Sequence, residues 1–209
     1  MRRLLASCLA SFLAFAATAQ DSTYVLKEIG WTLRVPAGFK PESVAQQEAD
    51  GREGAALIKE STGLTLDDSE MKTLLSVARD EYNSFNVTIR PFDSTTEGPY
   101  PQATAEMKPL LYKTLRDQVP DVRIDSSTTQ VLVGGLPFDR YAVVVHMTEG
   151  KKMHMVVYSR LHLGYDMGIT YLTLEEAARQ KIEAALRTSK FTAVPARPKA
   201  VLNNKPAQR

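Results

Sequence analysis

The feature that most constrains this fold is a series of strand-like segments in the second half of the chain. From residue 122 to residue 173, apolar segments alternate with short turns, among them the glycine pair Gly134-Gly135 and the polar turn TEGKK. Strands that follow one another closely and are joined by short turns pair in antiparallel fashion. The sequence therefore predicts an antiparallel meander across this half of the chain.

Apolar side chains occupy both faces of these predicted strands, as in the segment YAVVVHM that begins at Tyr141. A sheet with one face in water shows apolar and polar residues in alternation, whereas a sheet that is apolar on both faces must be covered on both sides. Helices are the elements that remain to cover it. We therefore predict an α+β fold in which an antiparallel β-sheet is sandwiched between helices, an α/β/α sandwich.

Two helices are predicted from apolar stripes. The first covers residues 102–117, where Leu111 and Leu115 lie on the apolar stripe and charged residues lie outside it. The second predicted helix has Thr173 as its N-cap. Glu176, three residues later, predicts a capping box in which each side chain bonds a free backbone amide.

Short strands are predicted in the first half of the chain, where apolar residues occupy alternate positions as in a half-buried strand. The clearest alternations are Trp31, Leu33, Val35 and, further on, Phe85, Val87, Ile89. Proline ends both strands, because it supplies no amide hydrogen and favours turns.

Between these strands the sequence is harder to interpret. Residues 41–50 predict a short helix, although their apolar periodicity is weak. Gly51, Gly54 and Gly63 follow it, and glycines at this density predict a loop or an edge strand.

The first 19 residues have the organisation of a secretory signal peptide. Arg2 and Arg3 precede an apolar run, and a small-x-small cleavage site ends at Ala19. Residues 5–8 also resemble the lipobox of bacterial lipoproteins, in which Cys8 would be acylated. Only seven residues precede Cys8, so the sequence favours a soluble exported product, periplasmic or secreted, over a lipoprotein.

The remaining chain divides into one domain and a tail. Residues 20–191 are long enough for a single domain with its own core. Acids outnumber bases in that domain, which argues against nucleic-acid binding. Residues 192–209 are basic and contain three prolines, so they predict a disordered tail with weak contact to anionic surfaces as an alternative role. No second apolar run is long enough to predict a transmembrane segment.

The order of these parts resembles the PsbP-like superfamily, which includes PsbP, the Ran-binding Mog protein and DcrB. The resemblance covers residues 24–191 and depends on two short matches. They are the strand-Pro-x-Gly-Phe pattern at residues 35–39 and the strand-to-helix ending in Ser189-Lys190-Phe191. It implies an α/β/α sandwich and accessory, adaptor or binding work without catalysis. It carries over no catalytic residue and no cofactor.

Histidines offer the one metal hypothesis in the sequence. If the hairpin has the three-residue loop Glu149-Gly150-Lys151, His146 lies directly opposite His154, and the two imidazoles can share a metal. A loop one residue shorter or longer places them on opposite faces. Two imidazoles are still short of a ligand set, so we favour histidines that are half-exposed in the sheet. A metal-dependent hydrolase using His146 and His154 stays as the alternative.

Aromatic residues supply the remaining site hypothesis. Tyr82, Phe85, Tyr100 and Tyr112 lie in or near the segment that joins the middle strands to the first predicted helix. They would suit a groove for a peptide, a glycan or a protein, although core packing is the alternative. We therefore predict an exported, non-enzymatic binding or accessory protein of the bacterial cell envelope that holds a protein or a small ligand and needs no cofactor.

Overall fold

The structure is a computed structural model and describes residues 21–194. The predicted signal peptide and most of the predicted tail lie outside that range. The described elements are, in chain order, β1 (Ser22–Leu26), β2 (Trp31–Val35), β3 (Lys40–Pro41), α1 (Val44–Thr62), β4 (Lys72–Asp80), β5 (Asn83–Pro91), α2 (Ser94–Glu97), α3 (Tyr100–Gln118), β6 (Arg123–Val133), β7 (Leu136–His146), β8 (Lys152–His162), β9 (Tyr165–Thr173), α4 (Glu176–Thr188) and β10 (Lys190–Phe191).

A seven-stranded antiparallel sheet forms the centre of the fold, with strand order β3-β4-β5-β9-β8-β7-β6. Strands β6 to β9 follow one another as neighbours, so the predicted meander is confirmed. A smaller sheet, in the order β1-β2-β10, joins the first strands to the end of the domain. The predicted α+β architecture, an antiparallel sheet between helices, is confirmed.

One face of the large sheet, here called the packed face, is covered by α4 and the small sheet. Strand β9 contributes Met167, Ile169 and Tyr171 to it, all without solvent exposure. Trp31 of the small sheet is equally buried and donates its indole hydrogen to Ser189 Oγ at 2.8 Å. Helix α4 completes the core with the buried residues Ala178, Ile182 and Leu186. The packed face therefore holds most of the hydrophobic core.

The opposite face, here called the open face, is covered by α1 and α3. Its buried cluster is small and lies under α3 near strands β6 and β7. Ile58 is the buried residue of α1, and Thr114 is the buried residue of α3. These helices therefore cover part of the sheet without sealing it.

Helix α1 corrects the prediction for residues 41–63. It runs from Val44 to Thr62, straight through Gly51 and Gly54, instead of stopping at residue 50. Its N-terminus is capped by Ser43, whose hydroxyl accepts a hydrogen bond from the backbone amide of Gln46. The helix has little apolar periodicity because it buries few side chains. Glycine is tolerated at its exposed positions. Only Gly63, at φ 75°, ends it.

The predicted capping box of α4 is also wrong. Thr173 is the last residue of β9 and is fully buried, and the helix begins at Glu176. The Thr173 hydroxyl donates to Asn83 Oδ1 at 2.6 Å and accepts from the backbone amide of Glu175. Glu176 contacts Arg179 one turn further on. Thr173 thus holds the strand-to-helix turn.

Candidate functional site

A cleft of about 770 Å³ separates the open face of the sheet from helices α1 and α3. Its floor consists of half-buried residues from four strands that point to the open face. These are Asn86, Thr88, Arg90, Asp139, Met155, Val157, Ser159, Asp166, Gly168 and Thr170, together with the more deeply buried Tyr141. Residues of α1 and α3, including Ile58, Met107 and Leu111, form the opposite wall.

Strand register places four small or polar residues in one row across this floor. Thr88 pairs with Gly168, Gly168 with Ser159, and Ser159 with Asp139. Neighbouring residues in such a row are about 5 Å apart. A Cβ atom at Gly168 would lie 3.0 Å from Thr88 Oγ1. Because Gly168 has no side chain, the backbone is accessible in the middle of the floor. Glycine often occupies a strand position that a ligand approaches closely.

One end of the cleft is polar and tightly connected. The Arg90 guanidinium contacts Glu97 at 2.6 Å and Asp166 at 3.3 Å. The Tyr100 hydroxyl donates to the second oxygen of Asp166 at 2.8 Å. Burial and the Asp166 carboxylate raise the pKa of Tyr100 well above its ordinary value. Tyr100 is therefore a hydrogen-bond donor at neutral pH.

The other end of the cleft is apolar. The next pair on β7 and β8 that faces the cleft after Asp139 and Ser159 is Tyr141 and Val157. Met155 lies two residues beyond Val157 on β8. Met71 and Met107 also line the cleft, with 49% and 36% of their surface exposed. Methionine side chains are flexible and polarisable, so they adapt to ligands of different shapes. The cleft thus combines a fixed polar end at Arg90 with an apolar end at Met155.

The four aromatic residues predicted as a ligand site occupy different environments. Phe85 is 3% exposed and belongs to the core of the packed face, and Tyr112 packs against the buried cluster under α3. Tyr82 lies in the turn between β4 and β5 and is 45% exposed. Tyr100 touches a cleft residue through its bond to Asp166. None of the four is among the described residues that line the cleft, and their predicted binding role stays a prediction.

The histidine register differs from the one that a metal site needs. His146 pairs with Lys152, and His154 pairs with Val144, so the two imidazoles are not directly opposite each other. A 3₁₀ turn at Thr148–Gly150 shifts the pairing by two residues from the predicted hairpin. His146 instead contacts Asp125 of the neighbouring strand β6 at 2.7 Å.

The other two histidines also have local partners. Burial, followed by the positive charge of Arg179, lowers the pKa of His154. His162 bonds the backbone carbonyl of Ile29 at 3.1 Å and packs edge-on against Phe191. Across residues 21–194, no group of three or more His, Cys, Asp or Glu side chains is arranged to hold a metal ion.

The sequence contains a signal for the cleft, although no motif marks it. Asn86, Thr88 and Arg90 on β5 alternate with core residues, a pattern that also fits a strand facing solvent. Strand β5 is an inner strand of the large sheet, however, and so is β9, which carries Gly168 in its interior. Polar residues and glycine on inner strands under a helical layer indicate a gap between the layers.

Comparisons with known proteins identify the fold. Neither the family models nor the curated proteins contain a match. The solution structure of cyanobacterial PsbP (CyanoP) from Synechocystis sp. PCC 6803 matches with a TM-score of 0.52 over 90% of this chain and 99% of that protein. The chain has a PsbP-like fold. Sequence identity to the cyanobacterial PsbP is 13%, so the match establishes the fold alone.

A second similar structure is the Ran-binding protein Mog1p of Saccharomyces cerevisiae. The match covers 83% of this chain and 96% of Mog1p, at 11% identity and a TM-score of 0.39.

Among residues 21–194, no helix has both the length and the apolar character that a membrane span requires.

Proposed function

We propose that this PsbP-like protein is an exported, non-enzymatic binding or accessory protein of the bacterial cell envelope and that it holds a small ligand in the cleft of the open face. The observation that carries the proposal is the accessible floor on the inner strands of a seven-stranded sheet, beneath α1 and α3. Inner strands are otherwise buried, as the packed face of the same strands demonstrates.

The dimensions of the cleft support a small ligand. At about 770 Å³ it falls within the range of pockets that enclose drug-sized molecules, roughly 300–1,000 Å³. Such pockets are mostly apolar and contain a few polar groups that orient the ligand. The apolar end at Tyr141, Val157 and Met155 and the polar row of Thr88, Ser159 and Asp139 supply both components.

The contacts among the charged groups favour holding a ligand over transforming it. Arg90, Glu97, Asp166 and Tyr100 bond one another, so each of these groups already has a partner within the protein. A general base needs a pKa near the operating pH, and burial moves the pKa of Tyr100 away from neutrality. The accessory and binding work implied by the PsbP-like resemblance agrees with these contacts.

Two glycines of α1 allow a matched test of the cleft. Gly54 lines the cleft, Gly51 does not, and a Cβ atom at either position meets no atom within 4 Å. We expect Gly54→Phe to fill the cleft and Gly51→Phe to leave it open. Native mass spectrometry of the protein after incubation with envelope small-molecule extract should show a bound species for wild type and Gly51→Phe, and none for Gly54→Phe.

Two results would overturn the proposed use of the cleft. One is the same bound species in Gly54→Phe as in wild type, and the other is conversion of the bound compound into a product by the purified protein. Circular dichroism of both variants verifies that the fold is intact, so that a loss of binding reports the cleft.

The proposed export has its own test. The chain expressed in a bacterial host with a C-terminal tag should appear in the periplasm or the medium with Gln20 as its first residue, as intact mass would reveal. Cys8→Ala should leave this result unchanged. A lipid-modified product that starts at Cys8, or retention of the full chain in the cytoplasm, would contradict the proposal.

A further inference from the structure

The charges that line the cleft are unequal in number. Its described lining contains four carboxylates and two cationic side chains, and the acids are Glu97, Glu106, Asp139 and Asp166, whereas the bases are Arg90 and Lys108. A concave site lined by one sign of charge attracts the opposite sign. The excess negative charge therefore favours a cationic ligand over an anionic one.

Two of these four acids, Glu97 and Asp166, already contact a cation, and Glu106 is exposed to solvent. Arg90 contacts both Glu97 and Asp166. The second oxygen of Asp166 accepts the hydrogen of Tyr100. Glu97 and Asp166 therefore already have hydrogen-bonding partners within the protein.

Asp139 differs from them. It is half-buried on the cleft floor and accepts a hydrogen bond from the Gln130 amide at 3.2 Å. Within residues 21–194 it forms no ion pair with a lysine, arginine or histidine. A carboxylate partly withdrawn from water without a cation is costly, and an opposite charge offsets that cost.

The residues beside Asp139 match a molecule with one charged and one apolar end. Ser159 pairs with Asp139, and its hydroxyl can accept a second hydrogen from a cation. Along the strands, Tyr141, Val157 and Met155 extend the floor away from Asp139. Ser159 and Met155 are four residues apart on β8, so about 13 Å of the floor separates the charged end from the last apolar residue.

We propose that the cleft binds a small cationic amphiphile, with its ammonium or guanidinium group at Asp139 and Ser159 and its apolar body along Tyr141, Val157 and Met155. This inference rests on the proposed binding function of the cleft and adds the chemical class of the ligand.

Three probes with the same apolar body and different head groups test the charge preference. Octylammonium, octanoate and octyl glucoside, each below its micelle-forming concentration, are titrated into the full protein by isothermal calorimetry at low salt. We expect octylammonium to bind at least about tenfold more tightly than the other two, which is the effect of one charge-assisted contact.

Matched variants locate the contact. Asp139→Asn should weaken octylammonium binding about tenfold and leave octyl glucoside binding unchanged. Asp125→Asn, a carboxamide substitution on the opposite face of the same sheet, should leave both unchanged. Gly54→Phe should abolish binding of all three probes.

The outcomes separate this inference from the proposed function. If all three probes bind wild type with equal affinity and none binds Gly54→Phe, the cationic preference is overturned. The proposed binding function of the cleft would still stand. Tighter octanoate binding, or octylammonium binding that is unchanged in Asp139→Asn, would also overturn the inference. Probe binding that persists in Gly54→Phe would contradict both proposals.

Discussion

The two faces of the large sheet are built from the same strands and differ in how they are covered. On β9, the residues Met167, Ile169 and Tyr171 point to the packed face and are fully buried. Their neighbours Gly168 and Thr170 point to the open face and remain half-buried at the cleft. Alternation along one strand thus separates a stabilising core from a candidate binding surface.

The helices show the same difference. Helix α4 has its apolar residues on one side, where Ala178, Ile182 and Leu186 are buried against the sheet. Helix α1 is longer and buries only Ile58. The comparison indicates that stability comes mainly from the packed face, which leaves the open face able to keep a cavity. Four predictions break or sharpen this comparison, beginning with the largest expected effect.

Leucine truncations on the two helices should differ most. Leu186→Ala on α4 removes a side chain that is 2% exposed, and we expect the free energy of unfolding to fall by about 2–5 kcal/mol. Leu111→Ala on α3 should cost less than about half of that, because Leu111 already borders the cleft and its loss encloses no new void. Urea denaturation at pH 7 measures both. Equal losses would show that the open face contributes as much to stability as the packed face.

Carboxylate truncations should give the next largest difference. Glu183 on α4 accepts hydrogen bonds from Tyr171 at 2.8 Å, from Arg140 at 3.1 Å and from Arg179 at 2.9 Å. Burial alone would raise the pKa of Glu183, but the Tyr171 hydroxyl and the two guanidinium groups outweigh it and lower the pKa.

We expect Glu183→Ala to reduce the free energy of unfolding by about 1–3 kcal/mol, because it leaves the buried Tyr171 hydroxyl without its acceptor. Glu106→Ala on α3, an exposed position at the cleft, should change it by less than about 0.5 kcal/mol. Thermal unfolding of the two variants provides the comparison. A loss at Glu106 as large as that at Glu183 would contradict the difference between the faces.

Acidification should weaken the packed face through His154. Burial and Arg179 lower the pKa of His154 below its ordinary value of 6.5, while Glu176 and Glu183 oppose the shift and Lys152 adds to it. The folded protein therefore keeps His154 neutral at a pH where the unfolded chain takes up a proton, so stability falls as the pH drops below about 6.5.

His154→Gln should therefore show a smaller loss of stability between pH 7 and pH 5.5 than wild type, and this effect should be smaller than that of either truncation on α4. Urea midpoints across this pH range measure the slope. A steeper slope in the variant than in wild type would refute the assignment of a lowered pKa to His154. His162, whose pKa is also lowered by burial, accounts for part of the slope that remains.

The sequence predicts the packed face better than the open face for a physical reason. Burial on the packed face imposes strict patterns, so the alternation at Phe85, Val87 and Ile89 indicated a strand with one buried face. The open face is under weaker constraint because its helices bury little. Helix α1 therefore lacks an apolar stripe, and its sequence with Gly51 and Gly54 predicts a loop.

No sequence motif predicts the cleft, because its residues meet only through strand order. Asp139 and Ser159 are twenty positions apart, and Thr88 is farther still, but register places them in one row with Gly168. The histidine pair failed for a related reason. A shift of two residues in the β7–β8 hairpin decides which side chains face one another, and the turn sequence left that register open.

The smallest expected effect is a gain of stability in α1. Gly51 lies inside the helix, and a Cβ atom there meets nothing within 4 Å. Gly51→Ala should raise helix stability by about 0.5–1 kcal/mol, because alanine loses less backbone entropy than glycine on entering a helix. Gly63→Ala is the matched control. Its φ of 75° is left-handed, so the same substitution should cost about 1 kcal/mol at the end of the same helix.

The change that Gly51→Ala causes in the free energy of global unfolding tests whether α1 unfolds together with the sheet. If α1 unfolds together with the core, Gly51→Ala should raise the urea midpoint of the whole domain. If α1 opens separately, as its single buried residue Ile58 leads us to expect, hydrogen exchange in α1 should slow while the global midpoint stays within error. A full shift of the midpoint with no selective change in exchange would mean that the open face is as cooperative as the packed face. The cleft would then be a rigid cavity, and ligands would enter it without displacing a helix.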